Sequence, residues 1–232
     1  MIDLHVLSAG AAKGVVTSLA PGFEAATSAT LRFQFGAVGA IRDQWLAGAP
    51  CDVVILTAAM IEAMVFEGRV VADTVAPLGR VRTGIAVRSG DALPNIADRS
   101  ELKQSLASAT AVYVPDTERS TAGAHFLKVL RELGISDDVV PRLRMFPNGA
   151  IAMRELAQST KRGLIGCTQI TEINYTPGVL LVGALPTEFE LSTVYSVAVA
   201  TTSPQQEAAR RFVQLLSGPE SRELRHNGGF EG

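Results

Sequence analysis

The sequence predicts an α/β protein of two lobes, each built on a mostly parallel sheet with flanking helices. Short apolar runs of strand length alternate with helix-period segments in the order β-α-β-α-β-α, and that alternation starts again after Leu78. The chain has 232 residues, 47% of them AVILMFWYC. That length allows one large domain or two small ones of about 100–150 residues. The number of elements suits two small lobes better than one sheet.

Residues 4–7 read as the first strand, and the turn at 8–12 leads into a helix through Val15, Val16 and Leu19. Residues 31–35 alternate as a strand and enter the turn 36–40, then a helix through Ile41, Trp45 and Leu46 that Gly48-Ala49-Pro50 stops. Residues 53–56 form a buried-strand run, and Ile61, Met64 and Val65 space as a helix. In the second half, 81–87 is strand-like, 100–106 helical, 111–114 a strand, and 121–133 a helix closed by Gly134. Pro147-Asn148-Gly149 opens a helix through Ile151, Met153 and Leu156, followed by strands at 164–167 and 194–200. Ser203-Pro204-Gln205-Gln206 combines an N-cap, a proline at N1 and a glutamine at N3. The helix it opens is placed back on the first lobe. The expected division is 1–80 with 202–232 as lobe 1, and 81–201 as lobe 2.

Composition excludes several functions. Lys plus Arg total 21 against 23 Asp plus Glu, a net charge of −2. Such a chain lacks the basic field of a nucleic-acid binder or of a protein held on an anionic membrane. His5, His125 and His226 have no metal-ligand spacing, so no metal is expected, and no motif calls for a cofactor. Gly36-Ala37-Val38-Gly39 lacks the third glycine of a dinucleotide fingerprint, and there is no Gly-x-Ser-x-Gly elbow. No apolar run reaches the roughly 18–20 residues of a membrane-spanning helix. Met1-Ile2-Asp3-Leu4 has no signal-peptide character. The expected location of the chain as given is cytoplasmic, or periplasmic if a leader has been removed.

In open α/β sheets, ligands collect beyond the carboxyl ends of strands, where helix N-termini present N–H groups and partial positive charge. Four turns of small or polar residues occupy such places: 8–12, 36–40, 120–123 and 147–149. The competing reading is that these residues only satisfy loop geometry. Lys13, in the first turns of the opening helix, opposes the helix dipole; an anion nearby would compensate it. Arg82 falls in the strand expected to cross between lobes, where burial without a partner would be costly. For both cations the alternative is a side chain reaching solvent.

Gln44-Trp45-Leu46-Ala47-Gly48-Ala49-Pro50-Cys51-Asp52-Val53 resembles a segment of the molybdate-binding proteins of ABC importers. So do Asp116-Thr117-Glu118-Arg119-Ser120-Thr121-Ala122-Gly123, Gly149-Ala150-Ile151-Ala152-Met153 and Gly229-Phe230. The resemblance covers nearly the whole chain. It implies a type II periplasmic-binding-protein fold, two α/β lobes joined by two crossing strands and closing like a clamp on a small anion. With the four turns it makes Ser8, Ala9, Gly39 and Ala40 the candidate ligand residues in one lobe, and Ser120, Thr121, Ala122, Asn148 and Gln169 in the other; Lys13 and Arg82 are the candidate cations, Arg82 where the family has a neutral polar residue. An ungapped reading puts Ala11 where Ser8 would serve. The serine-rich second turn of the family is here Ala37-Val38-Gly39, Pro147 replaces a donor N–H, and Gln169 replaces a tyrosine. An arginine fork and amides at Gln169 and Asn148 suit planar carboxylates.

The expected function is therefore a small-anion binding protein, for a carboxylate or an oxyanion such as molybdate, partnered by an ABC transporter permease if exported. The alternative is an isomerase of a small unsaturated polycarboxylate, since some relatives of this family are aconitate isomerases. A proton shift needs a base, and His125, Glu172 and Cys167 are the candidates.

Overall fold

The computed structural model describes residues 2–232. In chain order, the first elements are β1 (Ile2–Ala9), α1 (Lys13–Thr27), β2 (Ala29–Gly36), α2 (Val38–Leu46), β3 (Val53–Thr57), α3 (Ala58–Phe66) and β4 (Ala76–Arg88). Next come α4 (Arg99–Ser108), β5 (Ala111–Pro115), α5 (Thr121–Glu132), α6 (Ser136–Val139), β6 (Leu143–Phe146) and α7 (Gly149–Gln158). The last are β7 (Leu164–Gln169), α8 (Ile170–Asn174), β8 (Val179–Ala184), β9 (Ser192–Val199), α9 (Gln206–Ser217) and α10 (Arg222–Gly228).

The chain folds as two compact units, Met1–Val81 with Thr193–Gly232, and Arg82–Ser192. It enters the second unit within β4 and returns at the start of β9. The sequence expectation kept 193–201 in the second lobe; the structure assigns them to the first. Strand β9 pairs antiparallel with β3 from Val53↔Val199 to Thr57↔Tyr195. Val197, Ala198 and Val199 are fully buried there.

The first unit's sheet runs β2-β1-β3-β9. β1 lies parallel to β2, with Ala9 opposite Gly36, and parallel to β3, with Ser8 opposite Ile55. This register brings the C-terminal ends of β1, β2 and β3 to one edge, where the chain turns into α1, α2 and α3. Strand β3 is almost wholly buried, which explains its unbroken Val53-Val54-Ile55-Leu56 run. The apolar face of α9 carries Ala208, Phe212 and Leu216, and Phe212 meets Phe23 of α1 at 4.9 Å between ring centroids.

Helix α9 begins later than its sequence signal. Ser203 accepts the Gln205 N–H at 3.0 Å and donates to Asp52 Oδ1 at 2.5 Å. Gln206 Nε2 donates to the carbonyls of Ala200 and Ser203 rather than closing a capping box. Ser203 thus anchors the approach to the helix.

The second unit's sheet runs β8-β4-β7-β5-β6. β5 is parallel to β6 and β7, whereas β4 is antiparallel to β7 and β8. One face packs on α4 and α5 through Ile85, Leu102, Leu106, Val112, Phe126, Leu130 and Cys167. The other packs on α7 through Ala86, Met153, Leu156 and Leu164. Gly134, at φ +66°, follows α5 as its sequence requires. No described helix is long and apolar enough to cross a membrane.

Candidate functional site

In the first unit, two neighbouring helix mouths open at the same sheet edge. Helix α2 follows Ala37, whose extended backbone (φ −62°, ψ 144°) is that of an N-cap, but alanine has no side-chain acceptor. The Ile41 N–H returns to Ala37 O at 3.0 Å. The amides of Val38, Gly39 and Ala40 lie in the first turn, ahead of that ladder. Beside it, the 3-10 turn Gly10–Ala12 leads from Ala9 into α1, and neither start has a side-chain cap. Lys13 is the first residue of α1; its exposed ammonium lies 5.7 Å from the Phe35 ring centroid. Ser8 is fully buried, and its hydroxyl donates to the Ala9 carbonyl at 3.0 Å. It therefore does not present its proton to a guest as the sequence reading expected. The mouth of α3 differs, because Thr57 Oγ1 accepts the Met60 N–H at 3.3 Å.

The second unit satisfies the mouths of α4, α5 and α7 from within. Ser120 caps α5 by accepting the Gly123 N–H at 3.4 Å, with Thr121 and Ala122 in the first turn. Just before it, the N–H groups of Arg119 and Glu118 converge on Asp116 Oδ1 and hold that carboxyl below its usual range. Asn148 was expected to offer its amide to a carboxylate. Its Oδ1 accepts the Ile151 N–H at 2.9 Å and caps α7, so the oxygen end of the amide serves the fold.

The α7 mouth is also filled by a carboxylate of the chain itself. Glu172, almost fully buried, accepts the Thr168 hydroxyl at 2.5 Å and the backbone N–H groups of Ala150, Gly149 and Gln169. A Cβ on Gly149 would fall 2.0 Å from both Glu172 Oε2 and Thr168 Oγ1, so only glycine fits. Burial pushes the Glu172 carboxyl up, and the four hydrogen bonds oppose that rise without cancelling it. The turn 147–149, read from sequence as an anion cradle, is thus already occupied by a carboxyl group of the chain itself. Nothing in the spacing of Gly149 and Glu172 signals this contact; only a glycine at the helix start, with an acid packed against it in space, produces it.

The other candidates spread widely. Arg82 is not buried alone: its side chain is 37% exposed and its Nη1 lies 3.9 Å from Glu190 Oε2. His125 Nε2 lies 2.8 Å from the Phe189 carbonyl. Since a carbonyl only accepts, that nitrogen carries the proton. Cys167 is fully buried in the apolar cluster between β7 and α5, and burial drives its thiol pKa up. This removes it as a base and gives it a packing role. Gln169, at the end of β7, is 3% exposed, and neither Nε2 nor Oε1 finds a partner within the protein. The sequence singles out Gln169 only through the family resemblance. The described residues hold no group of three or more His, Cys, Asp or Glu placed to bind a metal.

The chain is 29% identical over 237 residues to an aconitate isomerase from a Pseudomonas species, covering 98% of this chain and 87% of that protein. Among solved structures it is similar to the Azotobacter vinelandii periplasmic molybdate-binding protein (TM-score 0.79, 16% identity, 99% of each chain). It is also similar to the sulfate-binding protein SubI of Mycobacterium tuberculosis H37Rv (TM-score 0.73, 18% identity, 99% of this chain and 86% of that one). These likenesses establish the periplasmic-binding-protein fold. The family model described as bacterial extracellular solute-binding protein matches residues 4–231, and the chain belongs to that family.

Proposed function

We propose that the protein binds a small carboxylate anion, closing on it like a clamp in solution, and delivers it to an ABC transporter permease when exported. The observation that carries this reading is the pair of adjacent helix mouths in the first unit, left without side-chain caps and lined by small residues, with Lys13 at one of them. Uncapped first-turn amides favour a negative guest through hydrogen bonds and the helix dipole. The carboxylate preference over tetrahedral oxyanions is supported by the missing hydroxyls in the turn 36–40. Thermal-shift and calorimetric titration against citrate, malate, succinate, phosphate, sulfate and molybdate tests it. A carboxylate at a hundred times its Kd should stabilise the fold by about 2.7 kcal/mol. Stabilisation by molybdate or sulfate alone would overturn it.

A second reading is favoured by the aconitate isomerase match, which spans nearly the whole chain. On that reading the same carboxylate guest undergoes a proton shift between carbons. Glu172 is tied to four donors and Cys167 is sealed in the core, so His125 is the base candidate with the most freedom. Incubation with cis- or trans-aconitate, following isomer interconversion, decides between the two readings. No turnover beside measurable binding leaves the first.

A further inference from the structure

We infer that the first unit holds a further ligand site, at the sheet edge opposite its helix mouths, for a small zwitterion: an α-amino acid with an apolar side chain. A cavity of about 580 Å³ opens there, lined wholly by residues of this unit. Its walls come from the start of β1, the end of α2, the approach to β3 and the chain that leaves β9. The helix mouths follow Ala9 and Gly36, and the strand between Asp3 and Ala9 spans about 20 Å. One small guest cannot reach both places.

Side chains of both charges line this cavity. Asp52 Oδ2 accepts the His5 N–H at 2.7 Å, and Oδ1 accepts the Ser203 hydroxyl at 2.5 Å. Each of these oxygens keeps a further lone pair. Asp3 lies two residues before His5, on the same face of β1, and only its Oδ1 is engaged, 3.4 Å from Arg32 Nε. Arg69 stands on the other side of the chain leaving β9. The Ala200 N–H donates to the Asp52 carbonyl and the Thr201 N–H to the Arg69 carbonyl, both at 2.9 Å, and Val70 bridges antiparallel to Ala200. The backbones of Asp52 and Arg69 are thus two strand spacings apart, about 10 Å. Arg69 Nε donates to Glu67 Oε2 at 2.8 Å, and its two terminal nitrogens find no acceptor among the described residues.

The remaining wall is apolar. Leu46 is 46% exposed and shares the lining with Pro50 and Pro204. Trp45 also lines the cavity and is only 9% exposed. A tryptophan buried to that degree ordinarily pairs its indole N–H, yet this one finds no acceptor among the described residues.

These groups fit one class of guest. Arg69 and the indole N–H supply donors to a carboxylate, Asp3 and Asp52 supply acceptors to an ammonium, and Leu46, Pro50 and Pro204 cover a hydrocarbon side chain. A simple anion would meet the charge of two aspartates, and a simple amine would leave the guanidinium and indole donors unmatched. The ion pairs Arg32–Asp3 and Arg69–Glu67 are half-exposed and hold little energy, so a guest competes with them.

Trp45 is the chain's one tryptophan, so a single indole N–H resonance reports on the cavity. Leucine titrated into nitrogen-15-labelled protein at neutral pH should move that signal saturably and leave Gly39 and Ala40 unmoved. Isopentylamine, which lacks the carboxylate, and isocaproate, which lacks the ammonium, should bind there at least about tenfold more weakly. In Arg69→Gln the preference for leucine over isopentylamine should fall below about twofold. In Asp3→Asn the preference over isocaproate should shrink in part, because Asp52 remains. An indole signal that leucine leaves still overturns the inference. So does an analogue that matches leucine, or either preference surviving its variant intact. The carboxylate reading of the helix mouths stands or falls separately, on Gly39 and Ala40 titrated with citrate.

Discussion

The mouths of α1 and α2 in the first unit contrast with those of α4, α5 and α7 in the second, although Thr57 caps α3 and neither α6 nor α8 has a side-chain cap. At the edge of the first unit's sheet, α1 and α2 begin on alanines that supply no cap. In the second unit, α4, α5 and α7 each begin on a residue whose side chain accepts a first-turn N–H: Asp98, Ser120 and Asn148. Helix α7 receives the Glu172 carboxylate as well. A capped mouth has spent its donors on the fold; an uncapped one keeps them for a guest, and the fold forgoes about 1 kcal/mol of capping stability at each. The contrast shows that small residues at a helix start do not by themselves mark a ligand site. What matters is whether the chain supplies its own hydrogen-bond acceptor.

The largest expected effect comes from emptying the filled mouth. Glu172→Ala strands the amides of Gly149, Ala150 and Gln169 in a buried place and should cost about 3 kcal/mol or more in urea unfolding. A loss under about 1 kcal/mol would mean the carboxylate is no true cap. The titration of Glu172 sharpens the same point. Its folded pKa is raised, so its stabilising contribution is whole below the ordinary glutamate value of about 4.3 and declines as pH rises through the folded value. A carboxyl-carbon NMR titration should place Glu172 above that ordinary value, and a normal or lowered midpoint would show that the donors outweigh burial.

Gly149→Ala comes next, because its methyl must displace the carboxylate and the Thr168 hydroxyl. The expected loss is about 1–3 kcal/mol, and a neutral outcome would mean this mouth has room. Closing an open mouth should do the reverse. Ala37→Asp installs the missing acceptor, so stability should rise by about 1 kcal/mol while carboxylate affinity falls by about tenfold. If affinity is untouched, the α2 mouth does not hold the guest. The smallest effect belongs to Lys13→Gln, which should weaken binding by a few-fold and stabilise α1 by about 0.3–1 kcal/mol, since a cation at that end opposes the dipole. A drop in stability with unchanged affinity would reassign Lys13 to its contact with Phe35.

The elements with strong local signals were legible. The 3.6-residue spacing of 121–132 and the Gly134 stop define α5 almost to the residue, and the buried run at 53–56 predicts β3. Strands β6 and β8 carried no comparable mark: Leu143-Arg144-Met145-Phe146 is short, and β8 follows a helix of only five residues. The end of the second unit was misplaced because the run 194–200 reads as a strand whichever sheet it joins, and its pairing with β3 is a long-range fact. At the site, the turn residues were visible but their satisfaction was not. Ser8 turning its proton to Ala9, Arg82 facing Glu190 and Glu172 reaching α7 all depend on partners that spacing cannot reveal.

The contrast between open and filled mouths is tested most directly by amide chemical-shift mapping of nitrogen-15-labelled protein titrated with citrate. Saturation should produce the largest proton downfield shifts at Gly39 and Ala40, with Gly149 and Ala150 nearly unmoved. Large shifts at Gly149 and Ala150, with Gly39 and Ala40 silent, would contradict the account.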